Sequence, residues 1–389
     1  MIQIDSFYQH LRDLGVEFVT GVPDTLLNDF CLGLDTIWPS PKHIIAANEG
    51  NAVALAAGYH LATRSVPLVY MQNSGMGNAL NPLISLTDPA VYSIPLVLLI
   101  GWRGEPGTSD WPQHQRQGEL SPVLLDALNI PYRILDPDDA KVSEAATWAI
   151  RTARENSCPT ALLARKGVLA RKEKAGFDAA SQEYPLSREE AIRTILASAP
   201  EDALYVASTG RITRELHAIR EELGQSHDHD FLNVGAMGHT LSIAVGIAAA
   251  RSDRLIICLD GDGAAIMHLG SLAVTANQPL PNLLHIVLNN GAHESVGGQP
   301  TAGQAANMTQ IACAAGYVTA PSLPNTAAQL ANAVEMMITK QRPAFLEVTI
   351  RKGMRDTMPV LKVLTDYSKR CFMRDLADKV LPEDPSWSP

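Results

Sequence analysis

The sequence predicts an α/β protein built of two doubly wound parallel-sheet domains, with no middle domain between them. Three observations carry that expectation. Short apolar runs alternate with helix-length amphipathic stretches along nearly the whole chain, the pattern of parallel strands joined by crossover helices. The pattern breaks once, over residues 166–186, where periodicity gives way to charge and small polar residues. The 389 residues exceed one ordinary core and suit two.

In the first half, a helix over 4–14 places Phe7, Leu11 and Leu14 on one face and ends at Gly15. Strand Val16–Thr20 leads into the turn Gly21-Val22-Pro23-Asp24 and a helix from Thr25. Strand His43–Ala46 precedes Asn48-Glu49 and an alanine-rich helix over 52–63, and strand Val66–Met71 precedes Asn73-Ser74. Strand Pro95–Ile100 precedes Trp102-Arg103. A helix over 119–128, strand Tyr132–Leu135, a helix over 138–154 and strand Thr160–Ala164 complete the half.

The second half repeats the layout without repeating the sequence. A helix over 187–198 and strand Ala203–Ala207 lead to Ser208-Thr209-Gly210. Gly235-Ala236-Met237-Gly238 opens a helix over 240–250. Strands Leu255–Leu259 and Leu283–Leu288 follow, then helices over 303–314 and 325–339 and strand Ala344–Ile350. The expected organisation is a domain over 1–165, a linker over 166–186, a domain over 187–375 and a loose tail over 376–389.

Composition narrows the partners. A net charge of −10 and a pI near 5.6 argue against nucleic acid or anionic membrane as the main partner. Five scattered cysteines, odd in number and without a C-x-x-C, read as reduced thiols. The N-terminus has no apolar signal core, and no apolar run is long enough to span a bilayer. These features lead us to expect a soluble, cytoplasmic enzyme.

Ligands of open parallel sheets sit beyond the carboxyl ends of the strands, and the polar clusters of both halves fall there. The densest lies between Leu255 and Gly291, where the strand before Asp260-Gly261-Asp262-Gly263 and the strand before Asn289-Asn290-Gly291 are joined by one helix-length crossover. A parallel sheet brings two such ends side by side, so Asp262 and Asn290 converge. One charged and one neutral oxygen ligand suit magnesium or calcium rather than zinc. Magnesium usually completes its shell with phosphate oxygens. Gly261 and Gly263 allow backbone N–H groups near a diphosphate, and the segment from Ala264 can offer a helix N-terminus.

G-D-G followed, after one crossover, by N-N resembles the metal–diphosphate motif of thiamine-diphosphate-dependent enzymes. The resemblance covers both halves and implies a bound thiamine diphosphate. It implies that Asp262, Asn290 and the Ala292 carbonyl hold Mg2+. Ser208 and Thr209 would bind the diphosphate from the other side. Gly235 would receive the cofactor's amine on its carbonyl, and Met237 would wedge the cofactor into its bent shape. Glu49 would hydrogen-bond the aminopyrimidine ring and drive the tautomer that activates the thiazolium. In the family that glutamate comes from a partner subunit, so the resemblance implies a homodimer or homotetramer. The residues alone also allow Glu49 to be a carboxylate placed to suit a helix dipole.

Compact two-domain members act on short acidic 2-oxo acids, and the segments NSGMGNALNPLISLTDPAVYSIPLVLLIGWRGEPG, WPQHQRQG, LLARKGVL and NNGAHESVGGQPT resemble decarboxylases of that kind. The resemblance implies loss of carbon dioxide from an anionic substrate. Arg103 is the first choice for its second anionic group, with Lys166 and Arg351 behind it. Asn73, Ser74 and His114 lie on the same predicted rim. Arg103 could instead pair with Glu105 or another neighbouring carboxylate. Among His114, His239, His268 and His293, only His293 is tied to the Asn290 loop, which makes it the first candidate acid–base group, with His114 second. His227-Asp228-His229-Asp230 reads as a solvated loop. Gly75-Met76-Gly77-Asn78 half-matches a dinucleotide fingerprint, but Leu80 occupies the third glycine's place.

Overall fold

A computed structural model of the chain describes residues 4–136, 138–169, 184–340, 343–353, 355 and 365–376. The chain divides into two compact units, one over residues 1–177 with His293–Gln299, the other over 178–292 with 300–389.

The first unit holds six parallel strands: β1 (Val19–Gly21), β2 (His43–Ile45), β3 (Leu68–Gln72), β4 (Leu96–Gly101), β5 (Tyr132–Leu135) and β6 (Pro159–Ala164). Their order is β2-β1-β3-β4-β6-β5. The chain leaves β1 in one direction for β2 and returns on the other side for β3, so the strand order reverses at β1/β3. The sheet is covered on both faces, which explains its continuous apolar runs. Leu68, Tyr70, Val97 and Leu99 enter one core with Phe7, Tyr8 and Phe30. Val69, Met71, Leu96, Leu98 and Ile100 enter the other with Ala52, Val53 and Ala56.

The second unit repeats the arrangement with β7 (Leu204–Ala207), β8 (Asp230–Leu232), β9 (Ile256–Gly261) and β10 (Leu283–Asn289), followed by strands Val318–Thr319 and Ala344–Thr349. Reading across, the order is Val318–Thr319, Ala344–Thr349, β10, β9, β7, β8, all parallel where paired. The reversal falls at β7/β9. Ile257, Leu259, Leu284 and Ile286 line one core, and Ile256, Cys258, Leu283 and Val287 the opposite one.

Local signals set several boundaries. Asn48 caps the helix Glu49–Thr63 through the Asn51 amide, so the helix starts at Glu49, ahead of the expected 52. Ser187 and Glu190 form a reciprocal capping box at the helix Arg188–Ser198. Pro112 starts the helix Pro112–Ala127 seven residues before the expected 119, since proline is suited to the first turn. The helix expected from Thr25 begins at Asn28, because Asp24 turns back to accept from the Leu26 amide. Helix 303–314 contracts to Met308–Ala315, capped by Asn307.

The elements that escaped the sequence reading include the helices Arg211–Leu223 and Thr365–Leu376 and the strands β8 and Val318–Thr319. The solvated-loop expectation for His227–Asp230 is corrected: Asp230 begins β8, is fully buried and takes a bidentate bond from Arg220 at 2.8 and 3.0 Å. At the expected linker, Val168 and Leu169 pack into the first core and Leu186 into the second. Residues 170–183 lie outside the described residues, as does the expected tail after the helix Thr365–Leu376.

Candidate functional site

At the carboxyl end of β9, Asp262 begins the short helix Asp262–Met267 and is 3% exposed. β9 and β10 are in register from Ile256 opposite Leu283 to Gly261 opposite Leu288. That register places the Asn289–Asn290 end beside Asp262. Burial pushes the Asp262 carboxyl up to about 6, against the pull of a Thr301 hydroxyl bond and the backbone amides of Asp262, Gly263 and Asn290. The expected convergence of Asp262 with Asn290 is therefore present. Asn290 Oδ1 accepts from the Ala292 amide at 3.1 Å, which orders the loop that carries the Ala292 carbonyl.

Asn289 works behind this pair. Its amide donates to the Gly303 carbonyl at 2.7 Å and to Glu347 at 2.8 Å, and its oxygen accepts from Gly291. Gly303 lies so close to Asp262 that a Cβ there would strike the carboxylate. Thr301 and Gly303 thus seat the Asp262 carboxylate. Neither was singled out in the sequence, because both reach the site through a loop after β10.

The neighbouring strand ends add donors. Ser208, beyond β7, is buried, and its hydroxyl has no partner among the described residues. Thr209 is partly buried beside it. Thr213 ties this loop to the next, bonding the Ser208 carbonyl at 2.6 Å and the Asn233 carbonyl at 3.3 Å. Gly235 and Met237 follow β8 and are partly buried.

The first unit presents a second polar cluster. Glu49 is 6% exposed, at the start of its helix, and one carboxylate oxygen accepts from Asn78 at 2.7 Å. A Cβ on Gly75 would fall on that carboxylate, so glycine is required there for Glu49 to keep its place.

Past β1, β3 and β4, Asp24 is fully buried and accepts from Gln72 at 2.6 Å. Burial raises its pKa, opposed by the Gln72 bond and the nearby Arg103 charge. Arg103 grips Asp110 through Nε at 2.7 Å and a terminal nitrogen at 2.5 Å, and its other terminal nitrogen donates to Thr25 at 2.8 Å. Of the alternatives open for Arg103, the ion pair forms with Asp110, while Glu105 pairs with Arg165.

His114 joins the same carboxylate at 3.0 Å. Burial lowers the His114 pKa despite that bond. Partial burial notwithstanding, the Arg103 and His114 bonds hold Asp110 well below the usual carboxylate range. Asn73 donates to the Arg103 carbonyl at 2.8 Å and to Ser121, and Ser74 donates to Gln72. Lys166 stands exposed in a turn after β6. Asp24 and Asp110 were missed as site residues. Asp24 sat in a turn that looked complete in itself, and Asp110 lies in a Gly/Pro-rich segment without periodicity.

His293 is grouped with the first unit, whereas Ala292, one residue earlier, belongs to the second. Burial brings the His293 pKa down to about 4, so the ring is neutral at pH 7. Arg351 is engaged elsewhere, donating to the Pro185 carbonyl at 2.7 Å.

A buried carboxylate and two asparagines at the ends of two adjacent strands of one sheet, and a buried glutamate at a helix start in the other unit, are matched by similarity to known proteins. Residues 4–126 match the N-terminal thiamine pyrophosphate-binding domain of thiamine pyrophosphate enzymes, and residues 208–348 match the C-terminal one. The chain belongs to the thiamine pyrophosphate enzyme family. It is 33% identical to a phosphonopyruvate decarboxylase of Streptomyces viridochromogenes over 96% of this chain and 94% of that one. It is 32% identical to one of Streptomyces hygroscopicus, over 91% and 88%. A sulfopyruvate decarboxylase of Methanosarcina acetivorans is 28% identical over 75% and 76%.

Proposed function

We propose that the protein decarboxylates 3-phosphonopyruvate to phosphonoacetaldehyde and carbon dioxide, as a carboxy-lyase using thiamine diphosphate and Mg2+ in phosphonate biosynthesis. The observation that carries this is the 33% identity to a phosphonopyruvate decarboxylase, spread over nearly the whole of both chains. The proposed cofactor domains are 1–165 for the pyrimidine and 187–375 for the diphosphate. The working unit is a homo-oligomer, dimer or tetramer, in the cytoplasm. Five unbridged cysteines agree with a reducing compartment.

The residues fit the cofactor. The lone Ser208 hydroxyl, with Thr209 and the amides around Gly261, Gly263 and Ala264, suits a diphosphate. Asp262, Asn290 and the Ala292 carbonyl form an all-oxygen donor set suited to magnesium. Burial makes Asp262 harder to ionise than an ordinary carboxylate, so metal binding and loss of its proton favour each other. Gly235 and Met237 would take the cofactor's pyrimidine end. When bound, thiamine diphosphate supplies the electron sink that takes the pair left as carbon dioxide departs.

The remaining work falls to the chain itself. Glu49 has one oxygen bonded to Asn78, leaving the other to hold or pass a proton. His293, neutral at pH 7, must accept a proton before it can donate one. Arg103, fixed in orientation by Asp110, is proposed to face the phosphonate, with Asn73, Ser74, His114 and Lys166 on the same rim. Sulfopyruvate is the second reading, supported by the 28% relative.

The test is carbon dioxide release from phosphonopyruvate, 3-sulfopyruvate and pyruvate side by side. A preference for phosphonopyruvate with equal aldehyde formed is expected, and preference for either other acid would overturn the substrate assignment. Arg103→Ala should impair the phosphonate substrate by ~100-fold or more while affecting pyruvate far less. An equal loss on both would make Arg103 a structural residue.

A further inference from the structure

Away from the residues proposed to hold the cofactor and metal, the second unit carries a cluster the reaction does not use. His217 and Glu221 lie four residues apart on the helix Arg211–Leu223, hence on one face. The helix ends at Gly224, and the chain turns back with Gln225 bonding the Arg220 carbonyl. This return stacks the His227 ring on His217, with centroids 4.2 Å apart and planes 24° from parallel. His227 Nε2 meets Glu221 at 2.6 Å.

One donor atom from each of the three lies within 4.8 Å of the others. His217 is 7% exposed, and its Nδ1 has no partner among the described residues. His227 Nδ1 likewise has none, standing 3.9 Å from Asp230, whose oxygens are committed to Arg220.

We propose that His217, Glu221 and His227 bind a zinc-type divalent cation, a site separate from the one formed by Asp262 and Asn290. Two imidazoles and one carboxylate are borderline ligands, which suit Zn2+, Ni2+ or Cu2+ and discriminate against Mg2+. Tetrahedral zinc at ~2.0–2.1 Å needs its donors ~3.4 Å apart. The side chains therefore close in by rotamer adjustment, chiefly of Glu221, which is 64% exposed and free to swing. That exposure also provides a route for the ion. Water fills the fourth position. The bound ion fastens the middle of the helix to the connection that leads into edge strand β8.

The experiment uses the full chain saturated with thiamine diphosphate and excess Mg2+, titrated calorimetrically with Zn2+. One site per chain is expected, weakened about tenfold or more in Glu221→Gln and His227→Ala. Both substitutions fall at positions accessible to solvent and leave decarboxylase turnover unchanged. A Co2+-loaded sample should show low-symmetry d–d bands without a thiolate charge-transfer band, and those bands should vanish in His227→Ala. Zinc affinity unchanged in both variants, or a thiolate band, would overturn the assignment.

Discussion

Glu49 and Asp262 occupy equivalent positions in the two units, yet their surroundings differ. Each follows a parallel strand, begins a helix, is nearly fully buried and is shadowed by a glycine, Gly75 for one and Gly303 for the other. Asp262 is met by a hydroxyl, three backbone amides and two asparagines held nearby, a shell in which burial makes the charge costlier to hold than on an ordinary carboxylate and a cation would offset that cost. Glu49 accepts on Oε2 from the side-chain amide of Asn78. The lesson is that a buried carboxylate's task is set by the donors around it, since its burial and helix position are common to both.

The largest break in that comparison comes from Asp262→Ala. Magnesium-dependent retention of thiamine diphosphate through a desalting column should fall at least ~100-fold, and normal retention would remove Asp262 from the metal site. Glu49→Gln should act differently, leaving retention intact while turnover drops ~10²- to 10⁴-fold. If retention falls as far as turnover, the glutamate is a structural prop.

The glycines sharpen the contrast. Gly303→Ala should weaken cofactor retention about tenfold by pushing Asp262 aside, whereas Gly75→Ala should depress turnover alone. Interchanged phenotypes would show that the two carboxylates do not divide the work.

The smallest effect is in pH. The Asp262 carboxyl lies near 6 in the folded chain against an ordinary 3.8, so its contribution favours folding fully below about pH 4 and is lost as pH rises through about 6. In metal-free protein this amounts to at most ~3 kcal/mol. Melting of the wild type relative to Asp262→Asn should decline across that window, and parallel curves would contradict the burial account.

The Asp262–Asn290 pairing was legible because both residues end apolar runs, and parallel pairing turns that arrangement into proximity. Glu49 was legible for the same reason, with a helix start in place of a second strand. Asp110, Thr301 and Gly303 were not, because loops bring them in and loop paths leave no periodicity. The Asp230 strand was hidden by polarity. Its carboxylate is buried only because Arg220, ten residues earlier on an unassigned helix, neutralises it.

Among the described residues neither sheet borrows a strand from the other half of the chain, and each face of each sheet has its own core. Order of synthesis therefore matters. Once Ala164 has left the ribosome, every strand of the first sheet is available, before any strand of the second exists. The early sheet can close its two cores while the later one is still being made, which limits the time its apolar runs stand exposed to neighbouring chains.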